Sequence, residues 1–228
     1  MGAVAIKAFL SSVSMKLLFL DIETIPTTEA LCRASHENRD PELDDSVIKK
    51  LSLGGVTGKI LCLGYAVEPP YDTPIEMLSG NEPAIIKSFW ELATNATLFV
   101  GHNILDFDLR FIYQRSIIHQ IKPSRELPFS RFRSSPIFDT MHEWSKWGRQ
   151  FVKLDVLAKC LDLPSPKTEM DASNVYEFYK TGRLNEIYEY CKRDVQTVRE
   201  IYRRMTFTET GQGFVSETVD RSTKLDNL

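Results

Sequence analysis

The sequence has few cysteines, no long apolar run and no excess of positive charge. Its four cysteines show no Cys-x-x-Cys spacing, so we predict neither a zinc site nor a disulfide scaffold, and reduced thiols indicate a cytoplasmic protein. No stretch approaches the roughly 18 apolar residues of a membrane span, which predicts a protein without a membrane partner. The net charge of -3 argues against indiscriminate binding to nucleic acid, but it does not exclude local contacts.

The length and composition predict one domain. With 228 residues and 43% hydrophobic content, the chain can bury one sizeable core. We place this domain at residues 16–206, between an N-terminal extension (1–15) and a C-terminal tail (207–228). The first fourteen residues faintly resemble a secretory leader. A cleaved leader would end close to the first strand, however, so a frayed extension or a start codon upstream of Met15 is the better interpretation.

Apolar periodicity predicts strands first, with helices between and after them. The strands are predicted at residues 17–20, 59–67, 75–78 and 97–100, and the helices at 82–92, from about 106, from 139, and at 153–161, 173–180 and 184–205. The polar segment 27–58 is interpreted as an insertion with one or two helices, and residues 119–136 as a loop. This order of elements is typical of an α/β layered domain.

Two carboxylates stand directly behind the first predicted strand. Asp21 and Glu23 follow the apolar run 17–20 and are two residues apart. Residues two apart in a strand point to the same face, so both carboxylates project together from the end of the strand. A lone Asp-x-Glu pair is weak evidence, because such pairs arise by chance.

Further acids follow at a strand-to-helix junction and on a late helix. Asp108 lies in the segment GHNILDFDLRFI. Tyr190 precedes Asp194 by four residues in a helical stretch, so these two side chains lie on the same face of the helix. Tyr190 alone would be interpreted as a packed aromatic, but beside Asp194 a catalytic role is favoured. Clustered carboxylates repel one another unless cations lie between them, so this set of four acids predicts bound divalent metal.

These segments resemble the DEDD superfamily of 3′–5′ exonucleases in its tyrosine variant. Over residues 16–205 the likeness is to the proofreading exonuclease domain of family-B DNA polymerases and to stand-alone predicted exonucleases related to it. The histidine variant would carry its histidine where this chain has Glu189. The family pattern puts its middle acid directly after an aromatic residue, which selects Asp108 over Asp106. Asp106 is interpreted as capping the following helix or facing its dipole.

The resemblance implies a ribonuclease-H-like fold, with a mixed five-stranded sheet flanked by helices. It also implies two Mg²⁺ or Mn²⁺ ions, which would activate the attacking water and stabilise the leaving 3′ oxygen. Asp21 would contact both ions. Glu23 and Asp194 would hold the water-activating ion, and Asp108 the second. Tyr190 would orient the nucleophilic water, since its ordinary pKa near 10 makes it a poor base at neutral pH.

Several residues are candidates for holding the substrate. Thr24 and Ile25 follow the acidic pair, where the family grips the terminal nucleotide through backbone and apolar contacts. Asn103 could contact substrate, but a polar turn residue at a strand end explains it equally well. Arg131 and Arg133 stand among phenylalanines in the loop 119–136, which suits single-stranded nucleic acid. A solvated loop whose phenylalanines anchor it to the core is an equal alternative.

The activity expected from the resemblance is hydrolysis at the 3′ end of single-stranded DNA, with RNA left open, to release nucleoside 5′-monophosphates. A proofreading or repair role would involve polymerase or repair proteins in trans, and the oligomeric state stays open. The alternative is a non-catalytic nucleic-acid-binding or scaffolding module on a retired exonuclease fold. The presence of all four acids and the tyrosine argues against that alternative.

Overall fold

A computed structural model describes residues 15–38, 43–133, 135–164 and 174–208. The strands are β1 (Leu17–Pro26), β2 (Gly58–Glu68), β3 (Glu76–Ser79), β4 (Leu98–Gly101) and β5 (Ile137–Asp139). The helices are α1 (Thr28–Asn38), α2 (Asp45–Leu53), α3 (Glu82–Asn95), α4 (Asp108–Ile118), α5 (Thr140–Trp144), α6 (Leu154–Cys160), α7 (Val175–Lys180) and α8 (Leu184–Thr206). The proposed extension and tail fall almost wholly outside the described residues.

The strands form one mixed sheet in the order β3-β2-β1-β4-β5. The central strand β1 pairs antiparallel with β2 and parallel with β4, while β5 is parallel to β4 and β3 is antiparallel to β2. A five-stranded mixed sheet flanked by helices is the predicted α/β architecture. Periodicity indicated four of these strands, because β5 is only three residues long and too short to show alternation.

The central strand is buried on both faces, as its continuous apolar run requires. Leu18 and Leu20 belong to the main hydrophobic cluster, which they share with Phe89 of α3. On the other face, Phe19 belongs to a second cluster with Val198 of α8. The alternation of side chains along β1 therefore fixes which helices cover which face of the sheet.

Helices α2, α3 and α5 begin at residues whose side chains cap them. Asn81 caps α3 by accepting a hydrogen bond from the Ala84 N–H at 2.9 Å, and a proline lies in the first turn of this helix. Asp44 caps α2 and Asp139 caps α5, each through its carboxylate. Both α1 and α2 lie within the segment 27–58, which confirms the prediction of one or two helices there.

The structure corrects the role predicted for Asp106. Helix α4 begins at Asp108, two residues later than expected, and no side chain caps it. The Oδ2 atom of Asp106 instead lies 3.1 Å from Nε2 of His142 on α5. The two residues are 36 positions apart in sequence, and the pairing of β4 with β5 brings them together. No local sequence pattern could therefore predict this contact.

Two further features concern the chain as a whole. All four cysteines are free thiols; Cys32 and Cys160 are exposed, and Cys62 and Cys191 are buried. Within the described residues, no helix combines the length and the apolar character that crossing a membrane requires. The two buried thiols lie beside the acidic residues described next.

Candidate active site

Asp21 and Glu23 lie on the face of β1 that is turned toward α8. They share this face with Phe19, because alternate residues of a strand point the same way. The pairing register of β1 and β2 shifts between Glu23 and Thr24. Such a bulge bends the strand and redirects its side chains, and it occurs here directly beside the acidic pair.

Helix α8 approaches the sheet closely at Gly64, which pairs with Asp21. A Cβ atom on this glycine would lie 3.0 Å from Sγ of Cys191, closer than ordinary van der Waals contact. The absence of a side chain therefore leaves room for α8. Tyr190 and Asp194, four residues apart on this helix, are brought by this packing to the acids of β1.

Asp108, the first residue of α4, is tied to the backbone of β1. Its Oδ1 atom accepts a hydrogen bond from the Ile22 N–H at 3.0 Å. The parallel pairing of β1 with β4 extends only to Phe19 and Val100, so the N–H of Ile22 lies beyond it and is open to a side chain. This bond holds the third acid at the point of β1 that lies between the first two.

Burial raises the pKa of all four acids, and repulsion within the cluster adds to the shift at Asp21, Glu23 and Asp108. Burial raises the pKa of Asp21 and Glu23 well above the usual range, and the neighbouring carboxylates add to it. Burial also raises the pKa of Asp108 to about 7. It raises the pKa of Asp194 to about 7, although a hydrogen bond from the Tyr190 hydroxyl acts in the opposite direction. Bound cations would reverse these shifts by favouring the ionised carboxylates.

The donor set fits hard divalent cations. Oδ1 of Asp194 is buried and has no hydrogen-bond partner, a state that proteins avoid unless another group completes the site. Ligand atoms of Asp21 and Glu23 lie within 4.8 Å of each other, with the Cys191 sulfur at similar range. Carboxylate oxygens are the ligands that Mg²⁺ and Mn²⁺ prefer.

The Cys191 thiol acts on Asp21 as a hydrogen-bond donor. Its sulfur lies 3.5 Å from the carbonyl oxygen and 3.6 Å from Oδ2 of Asp21. The pKa of this thiol is raised well above its usual range, first by a hydrogen bond with Cys62 and then by burial. Because a thiolate and not a thiol binds metal, Cys191 orients the carboxylate and leaves the oxygens as ligands.

A cavity of about 300 Å³ opens onto the site. The predicted site residues that line it are Asp21, Glu23, Thr24, Asn103, Tyr190 and Asp194. Residues outside the prediction also line it: Ile48, Lys49, Ser52 and Leu53 of α2, Phe107, and Val175 and Tyr176 of α7. Helix α2 comes from the segment interpreted as an insertion, so that segment supplies part of the site.

The candidate substrate-binding residues do not all meet at this cavity. Thr24 and Asn103 line it. Ile25 is only 1% exposed and packs in the core beside α7 and α8, so its side chain does not reach the cavity. Arg131 and Arg133 are exposed in the loop before β5 and do not line the cavity, and Arg131 lies 3.5 Å from Asp106.

The turn that carries Asn103 is braced by residues without an obvious signal in the sequence. Asn103 adopts a left-handed backbone with φ of 61°. The N–H groups of Asn103 and Leu105 each donate to the Asp139 carboxylate at 3.0 Å. His102 donates from Nε2 to the Val152 carbonyl at 2.8 Å, and burial lowers its pKa, so it remains neutral. Asp139 therefore positions this side of the cavity as well as capping α5.

Comparisons with known proteins identify the family of the chain. A family model described as a predicted 3′–5′ exonuclease related to the exonuclease domain of PolB matches residues 73–223. That range contains Asp108, Tyr190 and Asp194, whereas Asp21 and Glu23 precede it. Among curated proteins, none matches the chain.

A solved structure supports the fold. The family B DNA polymerase from the hyperthermophilic archaeon Pyrobaculum calidifontis matches with a TM-score of 0.63 and 13% sequence identity. The match covers 85% of this chain and 25% of the polymerase, so the chain spans about a quarter of that protein. The predicted ribonuclease-H-like architecture is thereby confirmed.

Proposed function

The chain belongs to this family of predicted 3′–5′ exonucleases related to the exonuclease domain of PolB, and we propose that it is a metal-dependent exonuclease of the tyrosine DEDD type. Its substrate in this proposal is the 3′ end of single-stranded DNA, or of RNA, and its products are nucleoside 5′-monophosphates. The observation that carries the proposal is the convergence of four buried or half-buried acids from β1, α4 and α8 around residues 21–23, in the middle of the central strand.

The acids would hold two divalent ions, Mg²⁺ or Mn²⁺. The ligands in this proposal are Asp21, Glu23, Asp108 and Asp194. When bound, such ions supply an activated water and neutralise the charge that develops on the leaving oxygen. The chain's own contribution is to hold the carboxylates in place, through the Ile22 N–H at Asp108 and the Cys191 thiol at Asp21.

Tyr190 orients the attacking water by accepting a hydrogen bond from it at the phenolic oxygen, because the single proton of its hydroxyl is donated to Asp194. Burial raises the pKa of its hydroxyl far above the usual range, and the nearby Asp194 adds to the effect. The hydroxyl therefore keeps its proton at neutral pH and cannot act as a general base. Its hydrogen bond to Asp194 holds the ring beside the acids.

The cavity has the size and lining to take the terminal nucleotide. Its volume of about 300 Å³ is at the lower end of ligand pockets, roughly 300–1,000 Å³. Lys49 is the one basic side chain among the described residues that line it, so we assign it a contact with a substrate phosphate. Thr24 and Asn103 offer polar groups, and Ile25 supports the strand from the core. Arg131 and Arg133 would contact phosphates outside the cavity.

Partners and location form part of the same proposal. The partners in this proposal are polymerase or repair proteins, with which the exonuclease would act in trans. The four free cysteines are compatible with a reducing compartment such as the cytoplasm.

The test is hydrolysis of 5′-labelled oligonucleotides. Single- and double-stranded DNA and RNA are incubated with Mg²⁺, Mn²⁺ or EDTA, and the products are separated by length. We expect a ladder shortened one nucleotide at a time from the 3′ end, dependent on metal. Comparing DNA with RNA then identifies the sugar preference.

Asp21→Asn is the matched negative variant, because it keeps the shape of the side chain and removes its charge. It should abolish hydrolysis and the calorimetric signal of Mn²⁺ binding. Asp162→Asn changes an exposed acid outside the site and should leave both unchanged. Full activity in Asp21→Asn would rule out the metal mechanism, and oligonucleotide binding without hydrolysis by the wild type would favour the non-catalytic alternative.

A further inference from the structure

Residues 131–133 and 144–153 form an exposed surface rich in aromatic and basic side chains. The segment 144–153 has three aromatic residues, three basic residues and no acid, in a chain whose net charge is -3. The segment 131–133 reads Arg-Phe-Arg. Phe132 is 74% exposed, Phe151 is 73% exposed and Trp144 is 43% exposed. Large aromatic faces that stay in water mark a site of contact, and the surrounding cations point to an anionic partner.

The two segments lie together in space. The ring of Phe132 is 5.6 Å from that of Trp147. Trp147 in turn stacks on His142, with ring centroids 4.8 Å apart and an interplanar angle of 6°. Arg131 lies beside Asp106, which also contacts His142. The ring of Phe132 therefore packs against Trp147, which His142 holds in place, as a platform for stacking requires.

This aromatic–basic surface meets the catalytic cavity at its rim. Asp106 is followed by Phe107, which lines the cavity, and then by Asp108 of the acidic cluster. On the other segment, the Val152 carbonyl accepts a hydrogen bond from His102, and the neighbour of that histidine, Asn103, lines the cavity. A strand whose 3′ end enters the cavity would leave it beside Asn103 and Phe107 and reach the surface.

We propose that residues 131–133 and 144–153 form a second binding site, outside the catalytic cavity, for the nucleotides of a single strand that lie 5′ of the one being released. The inference rests on the proposed exonuclease function. Bases stack on Phe132, Trp144 and Phe151, and the basic side chains contact phosphates. Stacking on aromatic side chains is tolerant of sequence, so this site holds any single-stranded segment and binds duplex less well.

The length of the strand separates this surface from the cavity. A trinucleotide occupies the cavity and its rim, whereas a strand of twelve nucleotides also covers the surface. The double variant Phe132→Ala/Phe151→Ala should weaken binding of the twelve-nucleotide strand by about tenfold or more, because each base that loses its stacking partner weakens binding roughly 5- to 150-fold. Binding of the trinucleotide should change by less than about twofold. Phe207→Ala is the matched control, since that residue is also 74% exposed but lies at the end of α8.

The measurement is fluorescence anisotropy of labelled oligothymidylates of both lengths, with Ca²⁺ to suppress turnover. In Mg²⁺, the double variant should show a raised KM on the long strand and an unchanged kcat. If the double variant binds the twelve-nucleotide strand with unchanged affinity, the inference is overturned. The surface would then be a site of contact with another protein. Equal losses on both lengths overturn it as well, because they indicate damage to the cavity. Hydrolysis of the trinucleotide by the wild type tests the proposed function separately from this surface.

Discussion

Glu23 and Glu82 are both buried glutamates, but their surroundings shift the two pKa values in opposite directions. Glu23 is 6% exposed and Glu82 is 8% exposed. Glu82 accepts hydrogen bonds from Nε and Nη2 of Arg115 at 2.8 and 2.7 Å, lies 2.6 Å from Nε2 of His119, and accepts from the Ile60 N–H at 2.7 Å. Burial by itself raises the pKa of Glu82, but these bonds outweigh it and lower the pKa. At Glu23, burial and nearby acidic groups raise the pKa.

The difference shows that this fold can pair a buried carboxylate with a cation of its own chain, and that it does so at the structural residue Glu82. Glu82 joins the start of α3 to α4 and to β2 through its ion pair and backbone bond. At the acidic cluster the raised pKa values mean that burial and repulsion outweigh the favourable contacts within the chain. In the proposed function, divalent ions from solution would supply the counter-charge that these acids need. The predictions below test each side of this contrast.

Tyr190→Phe should give the largest effect. Asp194 receives its hydrogen bond from a neutral hydroxyl, whereas Glu82 receives one from a charged guanidinium. Removing only the hydroxyl keeps the packing of the ring, so Mn²⁺ affinity in calorimetry should barely change. The turnover number should fall by roughly 10²–10⁴-fold, as for a positioned proton-handling group. Wild-type turnover in this variant would mean that Tyr190 is only a packed aromatic.

Arg115→Met should destabilise the fold. It leaves the Glu82 charge buried without its main partner, and breaking such a pair costs about 3–5 kcal/mol. Arg110→Met is the matched control, because its pair with Asp106 is longer, at 3.5 Å, and partly exposed. That control should cost less than about 1 kcal/mol. Urea unfolding in EDTA measures both, and equal costs for the two variants would remove the contrast between buried and exposed pairs.

Asp108→Asn should change how the metal-free stability depends on pH. The folded pKa of Asp108 is about 7, above the value of 3.8 for an unperturbed aspartate, so the folded state holds its proton more tightly. The resulting stability is present at pH 4 and is lost as pH rises toward 7. The variant keeps an oxygen for the Ile22 N–H and does not titrate. Its stability relative to wild type should therefore rise across this window by a few kcal/mol, since one pKa unit is about 1.4 kcal/mol.

Urea unfolding at several pH values between 4 and 8, in EDTA, checks this expectation. Excess Mn²⁺ should stabilise the wild type more strongly at the upper end of the range, where the carboxylates are ionised. A stability difference between variant and wild type that stays flat from pH 4 to 8 would contradict the raised pKa of Asp108.

Lys49→Gln should give the smallest effect. Lys49 lines the acidic cavity, and the adjacent Lys50 on the same helix does not. If Lys49 contacts one phosphate, its loss should reduce the slope of log affinity against log salt by about 0.7 for a single strand. Lys50→Gln is the matched control and should leave the slope unchanged. Anisotropy across a salt titration, with Ca²⁺ present, separates the two, and equal slopes for both variants would remove Lys49 from the substrate contacts.

Local periodicity accounts for what the sequence determined well. A spacing of two, directly behind the apolar run 17–20, places Asp21 and Glu23 on one face of a strand, and a spacing of four places Tyr190 and Asp194 on one face of a helix. Both patterns depend only on the geometry of a single element. The segment 27–58 was predicted to contain one or two helices, and the structure has two there.

Tertiary structure alone decided the surroundings of these residues. Helix α2 lines the cavity with Lys49, Asp106 pairs with His142 instead of capping α4, and Ile25 turns into the core. The sequence by itself determined the acids, the order of most elements and the α/β class. Which distant residues stand beside the acids follows from strand order and helix packing, because these contacts join positions tens of residues apart and leave no periodic signal in the chain.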